Sequence, residues 1–324
     1  MARADLPLDE LVRYRPDVRE PDDFDAFWSR TLDEARTHDL DVEAREVDTP
    51  YRTVAVRDVS FRGFGGDRIG AWFTVPRGAD GAVLPAVVEF IGYNGGRDLP
   101  GESLRWASAG YAHLLVDTRG QGARWGGGGR TGDPHGSDPS APGFMTRGIG
   151  HPDTYFYRRV FTDAVRAVDA VRALPGVDPA RVAVQGVSQG GGITLAVAGL
   201  VADLVAVMPD VPFLCHFARA LDVCDKDPYA EITRYLSVHR RRVDEVLHTL
   251  SYVDGVNFAR RANAPALFSV ALMDLVCPPS TVYAAYHHYA GPRDVEVYHY
   301  NDHEGGESYQ RQAQIRWLDG VLGR

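Results

Sequence analysis

The sequence predicts an α/β protein: a mostly parallel central sheet with helices on both faces and antiparallel strands at its N-terminal edge. Two patterns carry this expectation. Short continuous apolar runs, Ala86 to Ile91, Ala112 to Val116, Val182 to Val184, Leu204 to Met208 and Ala266 to Leu272, have the length of strands buried on both faces. Helical patterns lie between several of them, and strand–helix–strand units with right-handed crossovers build parallel sheets. Composition sets the frame, because 324 residues at 44% hydrophobic and 24% charged exclude disorder, collagen and coiled coil.

In chain order, Phe24, Phe27, Trp28, Leu32 and Ala35 recur at three-to-four spacing behind Asp22 and Asp23. This marks a helix with an acidic N-terminus and an aromatic stripe turned into a core. Thr53 to Phe61 and Arg68 to Val75 read as strands joined through Gly63, Gly65, Gly66 and Asp67, a hairpin that opens the sheet. Tyr157 to Leu174 places Val160, Phe161, Ala164, Val165, Val168 and Val171 at helical spacing and stops at Pro175 and Gly176. Ile193 to Val201 continues as a helix, and the last strand is expected at Val295 to Tyr300.

Two stretches interrupt the alternation. Residues 119–153 are rich in Gly and Pro without periodicity, and residues 212–261 hold helical fragments with charged faces but no strand. No internal repeat or linker-like shift in composition separates them from the rest. The expectation is one domain over 1–324, with an N-terminal helical extension at about 1–40, a Gly/Pro-rich loop at about 119–153 and a helical insertion at about 212–261.

A formal charge of −9 argues against a nucleic-acid partner, which needs a basic footprint. Cys215, Cys224 and Cys277 are too few and too far apart for a disulfide framework or a paired metal site, and their odd number fits a reducing compartment. Met1 to Leu11 has no apolar core of a signal peptide, and no run approaches the ~18 apolar residues of a membrane span. A cytoplasmic chain without a membrane partner is therefore expected.

Gly186-Val187-Ser188-Gln189-Gly190 lies between the expected strand Arg181 to Gln185 and an apolar helix. A strand-to-helix turn of this kind presents a serine on a strained backbone and aims free helix N–H groups at an anion, the arrangement of a nucleophile elbow. A serine hydroxyl is a weak nucleophile until a base, held by an acid, removes its proton. In α/β-hydrolases those partners follow in the order acid, then histidine. Asp274 ends an apolar run, and His303 follows the last expected strand; of eleven histidines it alone combines that order with a loop position. Ser188, Asp274 and His303 are thus the candidate triad of an α/β-hydrolase fold. The N–H of Gln189 and that of Tyr93, in the flexible Ile91-Gly92-Tyr93-Asn94-Gly95-Gly96 loop, are the candidate oxyanion donors. Tyr93, Gln189 and Val276, just beyond the acid, are the candidate substrate contacts. No phosphate-binding glycine motif or second ligand cluster appears, so neither cofactor nor metal is expected.

These residues resemble the acetyl xylan esterase and cephalosporin C deacetylase family, carbohydrate esterase family seven. Its three marks are Arg119-Gly120-Gln121, Gly186-Val187-Ser188-Gln189-Gly190 and His303-Glu304. Longer stretches are similar too, among them Tyr14-Arg15-Pro16, Pro142-Gly143-Phe144-Met145-Thr146-Arg147-Gly148, Asp210-Val211-Pro212-Phe213-Leu214-Cys215 and Cys277-Pro278-Pro279-Ser280. The segment Trp125 to Gly136 departs from the family in being richer in glycine. The resemblance implies an intracellular serine esterase that removes acetyl groups from small acetylated sugars and from cephalosporin C, and a doughnut-shaped homo-hexamer with active sites facing an internal cavity. It implies the same triad and oxyanion donors; Arg119 and Gln121 are read as structural residues that orient the elbow through a buried charged hydrogen-bond network. Esterases, lipases or peptidases of the same fold, and a non-catalytic ligand-binding relative, are the alternatives that the residues alone leave open.

Overall fold

The computed structural model describes residues 5–79, 81–135 and 143–324. Gly136 and Pro142, of the Gly/Pro-rich loop, lie outside the described residues. One nine-stranded sheet organises the chain: β1 (Glu43–Val47), β2 (Val54–Arg62), β3 (Arg68–Pro76), β4 (Leu84–Phe90), β5 (Ala112–Val116), β6 (Val177–Val187), β7 (Ala206–Asp210), β8 (Ala266–Ala271) and β9 (Arg293–Tyr298). Their spatial order is β1-β2-β3-β5-β4-β6-β7-β8-β9. The first three pair antiparallel and β3 meets β5 antiparallel, whereas every pair from β5 onward is parallel. This is the expected α/β-hydrolase architecture.

The helices are α1 (Leu8–Leu11), α2 (Phe24–Arg36), α3 (Arg105–Ser108), α4 (Phe156–Ala173), α5 (Gln189–Leu200), α6 (Phe217–Val223), α7 (Tyr229–Val238), α8 (Val243–Ser251), α9 (Gly255–Ala259), α10 (Pro279–His288) and α11 (Glu307–Leu322). They cover both faces of the parallel part of the sheet, which is why its strands read as short, mainly apolar runs. Along β4, Ala86, Val88 and Phe90 face the large core shared with α2, α4 and α5. Val87 points the other way, into a smaller core with Trp106, Tyr111 and Leu318. Side chains alternate across the pleat, so successive positions of each run feed two cores and most of them are apolar.

The aromatic stripe of α2 enters the core as expected. Phe24, Phe27 and Trp28 are buried, and Trp28 packs on Phe161 of α4 and Phe258 of α9. The N-terminal segment and the helical insertion clasp each other here: Trp28 Nε1 donates to the Tyr252 carbonyl at 2.9 Å, and Glu20 pairs with both Arg260 and Arg261.

Two local expectations need correction, and one helix was not anticipated. The strand expected at Leu204 to Met208 runs from Ala206 to Asp210, because Pro209 keeps to the extended backbone that follows β6 in register. The last strand ends at Tyr298, so His299 and Tyr300 belong to a turn. The long C-terminal helix α11 carries no apolar stripe in the sequence, since two of its three buried residues are Gln310 and Gln314.

Candidate functional site

The elbow forms where β6 hands over to α5. Ser188 has φ 58° and ψ −118°, a conformation that L-residues avoid. Tight packing enforces it. A Cβ on Gly186 would lie 2.3 Å from the Gly190 carbonyl carbon, and one on Gly190 would lie 2.1 Å from the Phe90 carbonyl oxygen. Both glycines are therefore required by backbone approach. The Ser188 N–H donates to the Asp210 carbonyl at 2.9 Å, and its own carbonyl accepts the Phe213 N–H at 2.9 Å, fastening the turn to the end of β7.

The two remote partners meet Ser188 as the sequence order anticipates. His303 Nε2 lies 3.0 Å from Ser188 Oγ, and His303 Nδ1 lies 2.9 Å from Asp274 Oδ2. The other oxygen of Asp274 accepts the N–H groups of Val276 at 2.7 Å and Cys277 at 2.8 Å, so the carboxylate is fixed before it holds the imidazole. Asp302 accepts the backbone N–H groups of Leu275 and His303, joining the acid loop to the histidine loop. Burial works against the charged imidazole, but the hydrogen bond and negative charge of Asp274 outweigh it and raise the His303 pKa above its ordinary value.

The residues expected to supply oxyanion donors are held by side-chain bonds. The Gln189 and Gln121 amides pair head to tail at 2.8 and 3.1 Å. Gln121 Oε1 also accepts the Asn94 N–H at 2.7 Å, Gln189 Nε2 reaches the Ile91 carbonyl at 3.1 Å, and the Tyr157 hydroxyl donates to Gln189 Oε1 at 2.9 Å. Gln121 thus ties the Ile91 to Asn94 loop to the first turn of α5. Among the described residues, neither the Tyr93 nor the Gln189 backbone N–H has an acceptor. Both are available to a developing oxyanion.

Arg119 acts elsewhere. Its fully buried guanidinium forks onto Asp163 of α4 at 2.6 and 2.8 Å and reaches Asp67 at 2.9 Å, binding the loop after β5 to α4 and to the hairpin turn. Of the pair expected to orient the elbow, Gln121 touches it directly and Arg119 does not.

Ser188, His303, Tyr93 and Val276 line a cavity of about 410 Å³, together with Arg124, Trp125, Asp227 and Pro228. The last four come from the Gly/Pro-rich loop and the helical insertion, and no motif in the sequence marks them. The same is true of Glu231 in α7. Its carboxylate accepts the Tyr93 hydroxyl at 2.8 and 2.9 Å and the Met145 N–H at 3.1 Å, while the Tyr93 oxygen accepts the Phe144 N–H at 2.6 Å. Burial pushes the Glu231 carboxyl up, and the phenol it accepts from is likewise raised by burial.

Among the described residues, one donor set has the spacing of metal ligands. Asp274, Cys277 and His303 each bring a ligand atom within 4.8 Å of the others. The carboxylate is already committed to three N–H groups, and burial keeps the Cys277 thiol well above its usual range and hence protonated. The donor chemistry fits a proton relay better than a cation.

Comparison with known proteins accords with this geometry. The acetyl xylan esterase (AXE1) family model matches residues 1–321. This chain belongs to the acetyl xylan esterase family. With that family it is a serine-type carboxylic ester hydrolase acting on acetyl esters. The esterase superposes on the acetyl xylan esterase from Paenibacillus sp. R4 with a TM-score of 0.92 at 38% identity, covering 97% of this chain and 99% of the other. Acetyl xylan esterase 1 from Thermoanaerobacterium sp. JW/SL YS485 gives 0.89 at 33%, covering 98% and 99%. Acetyl esterase Axe7A of Xylanibacter ruminicola is 30% identical over 317 residues, 94% of this chain and 68% of that protein. No described helix of the esterase is long and apolar enough to cross a membrane.

The raised His303 pKa fixes the sign of the pH dependence. Only the neutral imidazole can accept a proton, so kcat/KM for an acetate ester should fall as pH drops through an apparent pKa above the ordinary ~6.5. Asp274→Asn should shift that limb to lower pH and cut kcat by about 10³–10⁴-fold. A pH–rate profile of both proteins checks this, and an unshifted limb in Asp274→Asn would contradict it.

Proposed function

We propose that the esterase releases acetate from small acetylated molecules, namely acetylated xylo-oligosaccharides, other acetylated sugars and cephalosporin C, through an acetyl-enzyme on Ser188. The continuous hydrogen-bonded line from Ser188 Oγ through His303 to Asp274 carries this reading. His303 takes the hydroxyl proton as Ser188 Oγ bonds to the acetyl carbon. Negative charge on the former carbonyl oxygen is met by the N–H groups of Tyr93 and Gln189. The ester bond then breaks, and the proton on His303 passes to the departing alcohol. Water enters, gives a proton to His303 and attacks the acetyl carbon, after which the proton returns to Ser188 and acetate leaves. Asp274 holds the imidazole in the required tautomer throughout.

Val276 and Pro228 wall the cavity beside Ser188, and we assign the acetyl methyl to that side. The expected homo-hexamer and cytoplasmic location belong to the same proposal, supported by the family resemblance and, for the location, by three free buried cysteines. Light scattering should give the mass of six chains; that of one chain would overturn the assembly.

The chemical reading is tested with acetate, butyrate and octanoate esters of one chromogenic alcohol. The wild type should favour acetate, Ser188→Ala should lose more than about 10⁴-fold in kcat while remaining folded, and Val276→Ala should raise butyrate relative to acetate roughly tenfold. A preference for octanoate, or activity retained in Ser188→Ala, would contradict it.

A further inference from the structure

A second cavity of about 620 Å³ adjoins Trp125 and contains none of the triad residues, and it has no part in the steps above. Gly92, Trp125 and Val187 line both cavities. Gly92 and Val187 directly precede Tyr93 and Ser188, so the second cavity begins beside the reacting centre.

Trp125 is built as a fixed wall between the two. Its Nε1 donates to the Tyr93 carbonyl at 2.9 Å. The indole also lies so close to Gly95 that a Cβ there would be 2.1 Å from Trp125 Cζ2. The ring is nevertheless 48% exposed, a flat apolar surface presented to solvent in a loop that otherwise consists largely of glycine. Exposure of a large aromatic ring held by a specific hydrogen bond suits a ligand contact better than packing.

The remaining lining narrows the ligand. Arg105 is held by Glu89 at 3.0 Å and Gln185 at 2.6 Å, so its charge is balanced in the cavity floor. Burial pushes Glu89 up, but Arg105 and His113 prevail and bring its carboxyl down to about 2, so it stays ionised as that counter-charge. Asp98 and Glu102 also line the cavity, with Arg311, which is exposed and whose charge adds to that of Arg105 and His113 in holding Glu89 ionised. An anion would meet two carboxylates there, and a cation would meet the arginine. An acyl chain would cover charged groups without satisfying them. A neutral ligand rich in hydroxyls can donate to the carboxylates, accept from Arg311 and lay an apolar ring face on the indole. A volume within the usual ~300–1,000 Å³ of small-molecule sites exceeds what an acetyl group needs.

We propose that this second cavity binds the alcohol side of the substrate: the further sugar residues of an acetylated oligosaccharide, with Trp125 as the platform and Glu102 and Arg311 as hydrogen-bond partners. The proposal rests on the reading of Ser188 as nucleophile and adds a direction to it. The acetyl group lies toward Val276, and the glycan leaves across Trp125. Binding energy gained at this distance from the ester raises kcat/KM for oligosaccharides over small acetates.

The test compares kcat/KM on acetylated xylotriose, acetylated xylose and 4-nitrophenyl acetate. Wild type should prefer the trisaccharide to the monosaccharide by about tenfold or more. Ser103→Trp, which puts bulk into the cavity, should remove most of that preference, and the exposed-site variant Arg311→Met should reduce it about three- to tenfold, chiefly through KM. Calorimetry of unacetylated xylotriose with Ser188→Ala protein should show binding that is weakened by Arg311→Met. A trisaccharide preference that is absent in wild type, or unchanged in both variants, would overturn the subsite. If Ser103→Trp instead impaired only long-chain acyl esters, the cavity would be an acyl channel and the proposal would equally fall. Failure of the nucleophile reading looks different: Ser188→Ala would retain hydrolysis of 4-nitrophenyl acetate.

Discussion

Ser188 is held in a backbone conformation that nothing in its own side chain favours, and the geometry of the site depends on that strain being imposed from outside. Two glycines allow β6, α5 and the end of β4 to approach within backbone contact. The bonds from Ser188 to Asp210 and Phe213 then close the turn. Strain of this kind costs roughly 1–3 kcal/mol and persists only where the surroundings overdetermine it. In return, the hydroxyl projects above the sheet and the first N–H of α5 faces the same point in space.

The other parts reach that point from separate elements, each fixed before any substrate arrives. Asp274 spends one oxygen on two backbone N–H groups and the other on His303. Gln121 and Gln189 satisfy each other while gripping the loop that carries Tyr93. Glu231, from the helical insertion, anchors the Tyr93 phenol from the far side. A preorganised site needs no reorganisation as charge develops, which is where electrostatic catalysis gains most. The insertion and the Gly/Pro-rich loop therefore belong to the chemistry as well as to the fold, since they supply four of the cavity residues.

Much of this was legible in the sequence because it is local or ordered along the chain. The elbow pentapeptide needs its glycines for steric reasons, the central strands are mostly apolar because both faces are covered, and Asp274 and His303 follow the serine in a fixed order at strand ends. What the sequence hid is long-range and polar. Tyr93 and Glu231 are 138 positions apart, and no periodicity links them. The Gln121–Gln189 pair likewise joins a loop to the first turn of α5 from 68 positions away. Helix α11 escaped notice because two of its three buried residues are Gln310 and Gln314, with the Tyr298 hydroxyl donating to Gln310 at 2.8 Å. A buried glutamine reads as a surface residue until its partner is known. Trp125 gave no signal for a different reason: a single aromatic residue in a glycine-rich loop has no pattern to belong to.

The most direct test of the account is to trap the covalent intermediate. Acid quenching during turnover of a good acetate ester, followed by peptide mass spectrometry, should find one acetyl group per active site, on the peptide containing Ser188, formed in a burst that precedes steady-state acetate release. Acetylation of another residue, or steady turnover without any acetylated peptide, would contradict the claim that the strained Ser188 is the nucleophile.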